Sequence, residues 1–145
     1  MTENKRTGKK FNLKLPLETA NLELIRDFVS RIAQNMGFSD ENIHRIELAV
    51  DEASTNVIKH AYKYSPDNDI RILTRLENSK FIISITDSGH NFNPQLVPEP
   101  DLKKYIQQHK VGGLGMYLMK KLMDEVKYNT LSGNQNQVVL VKYLT

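Results

Sequence analysis

Glu52 and Asn56 lie four residues apart in the stretch IHRIELAVDEASTNVIKHAY, residues 43 to 62. A carboxylate can take a proton from a hydroxyl or hold a water. An amide oxygen one helical turn away is a hard ligand suited to magnesium, which keeps several waters and binds substrate phosphates. Together they can bring an activated nucleophile up to a metal–nucleotide. Taken alone, such a pair is common on a solvated helix face, so its meaning depends on the rest of the chain.

Two other stations carry matching chemistry. Asp87-Ser88-Gly89 closes an apolar run. A carboxylate there can accept from an exocyclic amine such as adenine N6, and Gly89 leaves room for a flat base, although a bare Asp-Ser-Gly is also an ordinary turn. Gly112, Gly113 and Gly115 precede an apolar helical pattern. Missing side chains let backbone N–H groups approach phosphate oxygens, and a helix N-terminus favours negative charge. Lys110 can add charge to the same loop. Neither familiar phosphate motif fits. No lysine follows these glycines at P-loop spacing, and a polar segment stands where the dinucleotide fingerprint needs a strand.

Positioning these residues is the task of the periodic segments. Ile43, Ile46, Val50, Ala53, Val57 and Ala61 recur every three or four residues, which predicts one helix over 43–62. Ser39 or Asp40 can cap its start. Glu52, Asn56 and His60 then form a row drifting towards the edge of the apolar stripe. Upstream, Phe11, Leu13 and Leu15 alternate as a half-buried strand that Pro16 ends. Leu22, Ile25, Phe28, Val29 and Ile32 make a second helix, with Gly37 as its stop.

Downstream, SPDND reads as a turn. Ile70, Ile72 and Leu76, then Phe81, Ile83 and Ile85, read as two strands joined at Glu77, Asn78 and Ser79. Pro94, Pro98 and Pro100 break up residues 90–111, where only DLKKYIQQHK suits a short helix. A long irregular insert of this kind is usually a functional lid or a disordered segment. Leu114, Tyr117, Leu118, Leu122 and Met123 give another helix face. Residues 125–131 and 137–144 form a closing hairpin with its turn around Gly133. Consecutive hairpins and three helices predict an α+β sandwich, a mostly antiparallel sheet covered on one face by helices.

The 145 residues fit one domain over 9–145 after a basic tail over 1–8, with 39% hydrophobic and 26% charged residues. A net charge of +3 is too small to drive nucleic-acid binding unaided. The basic residues Lys5, Arg6, Lys9 and Lys10 read as a solvated terminus. With no cysteine, disulfides and thiolate zinc sites are excluded, and the four histidines lack close metal-ligand spacing. No apolar run approaches the ~20 residues of a membrane span and there is no signal-peptide core. The expectation is a soluble, cytoplasmic protein, without membrane or direct nucleic-acid partners.

The three stations in order resemble the GHKL ATP-binding superfamily. ELAVDEASTNVIKHAY is similar to its N box, Asp87-Ser-Gly to its first glycine box, and Gly112-Gly-Leu-Gly-Met to its second. More narrowly, Glu52-Ala-x-x-Asn56 with His60-Ala-Tyr, then GGLGMYLMKKLMDEV, resembles the bacterial anti-sigma-factor serine kinases of the RsbW/SpoIIAB type. The likeness runs from the first strand to the final hairpin. It implies a Bergerat fold with a mixed, mostly antiparallel sheet, ATP and Mg2+ as ligands, and a homodimer. It implies Glu52 as general base, Asn56 as the magnesium ligand, Asp87 on the adenine amine and Gly89 beneath the base. Lys110, Gly112, Gly113, Leu114, Gly115 and Met116 would line the phosphates, with residues 90–111 as the ATP lid.

The implied function is an ATP-dependent serine protein kinase that binds a sigma factor and phosphorylates an anti-anti-sigma (STAS) protein. An ATP-binding regulatory module without phosphoryl transfer is the alternative. Three positions depart from the pattern. Asn91 replaces the second glycine of the first box. Lys110 and Val111 stand where a lid arginine is frequent, and a lysine cannot fork onto phosphate as arginine does. Gln137 and Val138 stand near the usual adenine-side threonine, which predicts a weaker or water-mediated base contact.

Overall fold

The computed structural model describes residues 9–64, 68–87, 113–131 and 135–144. The basic tail, Gly89, the lid with Lys110, the short helix expected in DLKKYIQQHK, Gly112 and the turn around Gly133 lie outside the described residues.

The elements in chain order are β1 (Lys10–Pro16), a 3-10 turn (Thr19–Asn21), α1 (Leu22–Met36), α2 (Asp40–Tyr64), β2 (Asp69–Glu77), β3 (Lys80–Asp87), α3 (Gly113–Leu122), β4 (Glu125–Leu131) and β5 (Gln135–Tyr143). The described strands form one sheet in the order β1-β2-β3-β5-β4, and its four ladders are all antiparallel rather than mixed. The expected sandwich is therefore present. The order itself has one surprise for a chain built of hairpins: β5 inserts between β3 and β4.

Alternation along the strands separates the two faces of the sheet. Ile70, Ile72 and Leu76 on β2, Phe81, Ile83 and Ile85 on β3, and Val138 and Leu140 on β5 are buried together. Helices supply the other half of that core through Ile25, Val29 and Ala33 of α1, Ile46, Ala49, Val50 and Ala53 of α2, and Met119 of α3. Thr74 shares the buried face, and its hydroxyl has no hydrogen-bond partner among the described residues. The intervening residues of the central strands, such as Arg71, Ser84 and Thr86, point to the other face.

Local signals end the elements where the sequence suggests. Gly37 closes α1 at φ 96°, and its N–H donates to the carbonyls of Ala33 and Gln34. That left-handed conformation is open to glycine at little cost. Ser39 caps α2, its Oγ accepting from the Asn42 N–H at 3.2 Å. The β2–β3 hairpin turns on Asn78 and Ser79, both at positive φ (51° and 62°), the two-residue turn that matches strand twist. Helix α2 runs longer than its apolar stripe predicts, from Asp40 to Tyr64. Asp40 and Glu41 in the first turn favour the earlier start by facing the helix dipole.

Candidate active site

Glu52 and Asn56 emerge from α2 on the border of the core. Ala53 and Val57 beside them are buried, while Glu52 and Asn56 are half-buried. Neither side chain has a hydrogen-bond or ion-pair partner among the described residues. Asp51, one residue earlier, faces α1. Arg26 Nη1 donates to Asp51 Oδ2 at 3.2 Å, tying the two helices together. The hydrogen bond and the charge of Asp51 hold the Arg26 proton more tightly than usual. Thr55 Oγ1 donates to the Asp51 carbonyl at 2.7 Å. The neighbours of Glu52 and Asn56 are thus engaged in holding the helix, and these two are left available.

Asp87 is buried, at 3% exposure, on the last residue of β3. Its Oδ2 accepts from the backbone N–H of Asn136 on β5 at 3.0 Å. Strand alternation places Asn136 on the face shared by Val138 and Leu140, the helix-covered side. The contact is made by the Asn136 backbone N–H, and the sequence reading missed it because it depends on the β3–β5 register rather than on any local pattern. Gln137, expected near the base, faces the opposite side. Its Nε2 donates to Thr86 Oγ1 at 3.3 Å and its Oε1 accepts from Asn129 Nδ2 at 3.0 Å. Val138 is buried in the core.

The lengths of helix and strand bring the stations to one end of the sheet. The Phe38 ring, just before α2, packs against Phe81 near the start of β3, with centroids 5.8 Å apart. From there Glu52 lies ~20 Å along the helix at about 1.5 Å per residue. Asp87 lies ~20 Å along the strand at about 3.3 Å per residue. Helix α2 packs over β3 and β5, and its end feeds β2, whose Ile70 pairs with Asp87.

Helix α3 arrives from the other direction. Its last carbonyl, Leu122 O, accepts from Lys142 Nζ at 2.7 Å, near the far end of β5. One turn earlier, Met119 lies against Tyr128, whose strand partner is Val138. Moving towards the N-terminus of α3 therefore moves back along β5 towards Asn136. Gly113 lies ~9 Å beyond Met119 by helix rise, and Asn136 lies ~7 Å beyond Val138 by strand rise. Gly113, Leu114, Gly115 and Met116 form the first turn of α3, so its free N–H groups open towards the Asp87 end.

The donor set fits a magnesium–nucleotide. One amide oxygen and one carboxylate are half-buried and unengaged, and a third group, buried Asp87, can accept from a base amine. A site with few protein oxygens suits magnesium, which leaves most positions to water and phosphate. Among the described residues no cluster of three or more His, Cys, Asp or Glu could hold a metal ion by itself.

Residues 15–142 match the histidine kinase-like ATPase domain model. Serine-protein kinase RsbW of Bacillus subtilis (strain 168) is 34% identical over 137 residues, covering 91% of this chain and 84% of the relative. Serine-protein kinase RsbW of Listeria monocytogenes serovar 1/2a is 34% identical over 139 residues, covering 93% and 87%. Among solved structures, the RsbU and RsbW domains of a Mycobacterium tuberculosis protein superpose with a TM-score of 0.67 at 14% identity, covering 94% of this chain and 32% of that one. The SiaB–SiaC complex from Pseudomonas aeruginosa gives 0.61 at 12% identity, covering 96% and 91%. Those two likenesses speak for the fold, whereas the matching family model and the RsbW sequences speak for descent: the chain belongs to the histidine kinase-like ATPase family and, within it, to the RsbW group of serine-protein kinases.

Proposed function

We propose that this protein is an ATP-dependent serine protein kinase that doubles as an anti-sigma factor, sequestering a sigma factor and phosphorylating an anti-anti-sigma STAS protein. The observation that carries the reading is the pairing on α2: half-buried, unengaged Glu52 and Asn56, at the same end of the sheet as buried Asp87. Phosphoryl transfer asks for positioning, charge neutralisation and a base, and these residues supply candidates for each.

In this mechanism Asp87 accepts from the adenine amine while the first turn of α3 receives phosphate oxygens on its N–H groups. Asn56 would offer its amide oxygen to Mg2+, and the bound cation would supply charge neutralisation to the triphosphate. Glu52 accepts the proton of the incoming serine hydroxyl as the serine oxygen bonds to the γ-phosphorus and ADP leaves. The lid over 90–111, with Lys110 at its end, would close over the triphosphate, and Gly89 and Gly112 would leave room for base and phosphate. The working unit in this reading is a cytoplasmic homodimer. No described helix is long and apolar enough to cross a membrane.

The test is transfer of labelled γ-phosphate from Mg-ATP to the cognate STAS protein. Wild type should phosphorylate one serine, and Glu52→Gln should bind ATP normally while losing transfer. Normal ATP binding by wild type with no transfer would sink the kinase reading and favour control of a partner by ATP-dependent binding. Full activity in Glu52→Gln would remove that residue from its role as base.

A further inference from the structure

Lys142 is an unusual residue for the covered face of a sheet. It lies opposite Phe81 in the β3–β5 ladder and is only 8% exposed. Among the described residues no carboxylate forms an ion pair with it. A buried ammonium without a counter-charge is costly unless hydrogen-bonded dipoles replace its water. Here the replacement is the C-terminus of α3, where Lys142 Nζ donates to the Leu122 carbonyl at 2.7 Å. A helix C-terminus carries about half a negative charge, and its last carbonyls lack partners within the helix.

Three consecutive residues of β5 grip this corner. The Val141 carbonyl accepts from the Asp124 N–H at 2.9 Å, and the Tyr143 N–H donates to Asp124 Oδ2 at 2.7 Å. Those two hold the connection into β4. Lys142 alone among them holds the helix itself. The other end of the same helix begins at Gly113 and opens towards Asp87. A helix of this length moves as a rod, so a shift of its gripped end reappears at its free N–H groups. A displacement of about 1 Å at a reacting or binding centre can cost ~100-fold.

We propose that Lys142 is a positioning residue for the triphosphate: it touches no nucleotide, and it acts by fixing α3 so that the first-turn N–H groups meet the phosphates. This rests on the reading of the α3 N-terminus as the phosphate station. Because adenine is read by Asp87 on a different element, the effect must be confined to the phosphate-bearing part of the ligand.

The experiment compares ATP and adenosine binding by NMR titration in wild type, Lys142→Met and Lys142→Arg, with a melting curve for each. Lys142→Met is expected to weaken ATP at least threefold and leave adenosine unchanged, and Lys142→Arg, which still donates to the carbonyl, to restore most of the loss. An ATP affinity within threefold of wild type in Lys142→Met overturns the proposal. So does an equal loss for ATP and adenosine, which would mean general loosening rather than helix placement. Wild-type protein that binds no ATP would overturn the functional reading itself, and this inference with it.

Discussion

Asp87→Asn separates the hydrogen bond that the buried carboxylate makes in the fold from the second duty proposed for it, accepting from the adenine amine. In the folded chain Asp87 Oδ2 accepts from the Asn136 N–H at 3.0 Å with the residue 3% exposed. An asparagine can keep that bond by presenting its carbonyl oxygen to Asn136. What it loses is charge: a hydrogen bond to an ionised acceptor contributes ~1.5–3 kcal/mol against ~0.5–1.5 for a neutral one. The difference, about 1 kcal/mol, should lower the melting temperature of the nucleotide-free protein by ~3–6 °C for a chain of this size. The second duty fails more completely. With its oxygen turned to Asn136, the substituted side chain directs its NH2 group at the adenine amine, and two donors meet. Leaving both unsatisfied costs at least ~2 kcal/mol, or ~30-fold in affinity. Calorimetric titration with Mg-ATP reads the second effect and scanning calorimetry the first. ATP binding within threefold of wild type would refute the assignment of Asp87 to the base. An unchanged melting temperature would refute the energetic value given to the bond with Asn136.

Other expected outcomes concern the frame around the site. Thr74→Val should stabilise the fold by ~1 kcal/mol, since it replaces a buried hydroxyl without a partner by a methyl of similar shape; a lower denaturation midpoint would contradict this. Gly37→Ala should destabilise by ~1–2 kcal/mol because a Cβ is strained at φ 96°, even though nothing lies within 4 Å of the added atom. Chemical denaturation would measure it. Tyr143 Oη donates to Glu125 Oε2 at 2.9 Å, and this bond raises the Tyr143 pKa above its usual value of 10.0. The folded state holds that proton more tightly than the unfolded chain. The contribution is therefore fully present below pH ~10 and fades as pH rises through the raised folded value. Tyr143→Phe should flatten the alkaline limb of stability against pH, and an unchanged limb would contradict the assignment.

How much of this was legible in the sequence depends on the range of the interaction. Helix α2 and its cap at Ser39, the strand alternation through Ile83 and Ile85, and the turn at Asn78 and Ser79 are local patterns, and each is where the residues suggest. Glu52 and Asn56 are readable as neighbours because helical spacing makes them so. The insertion of β5 between β3 and β4 was not readable, because pairing partners far apart in the chain leave no local trace. The same gap hid Asn136. Gln137 drew attention by lying near a family position, but a one-residue step on a strand reverses the face. The Gln137 side chain joins a polar row with Thr86 and Asn129, while Asp87 is met by the backbone N–H of Asn136. Lys142 reads as one more surface lysine until α3 is seen to end on it.

The place of β5 also governs how the chain can come into being. During synthesis β1, β2 and β3 can pair as they leave the ribosome, but the strand that belongs beside β3 follows some fifty residues later in the numbering, at Gln135. Until then Phe81, Ile83 and Ile85 lie along a bare edge of the kind that recruits strands from other molecules. A nascent or proteolysed product stopping short of Gln135 would lack the Asn136 N–H that Asp87 accepts from, and carry an adhesive margin in its place. Such fragments should be sticky as well as inactive, and quality-control proteases would meet them as aggregates rather than as small stable domains.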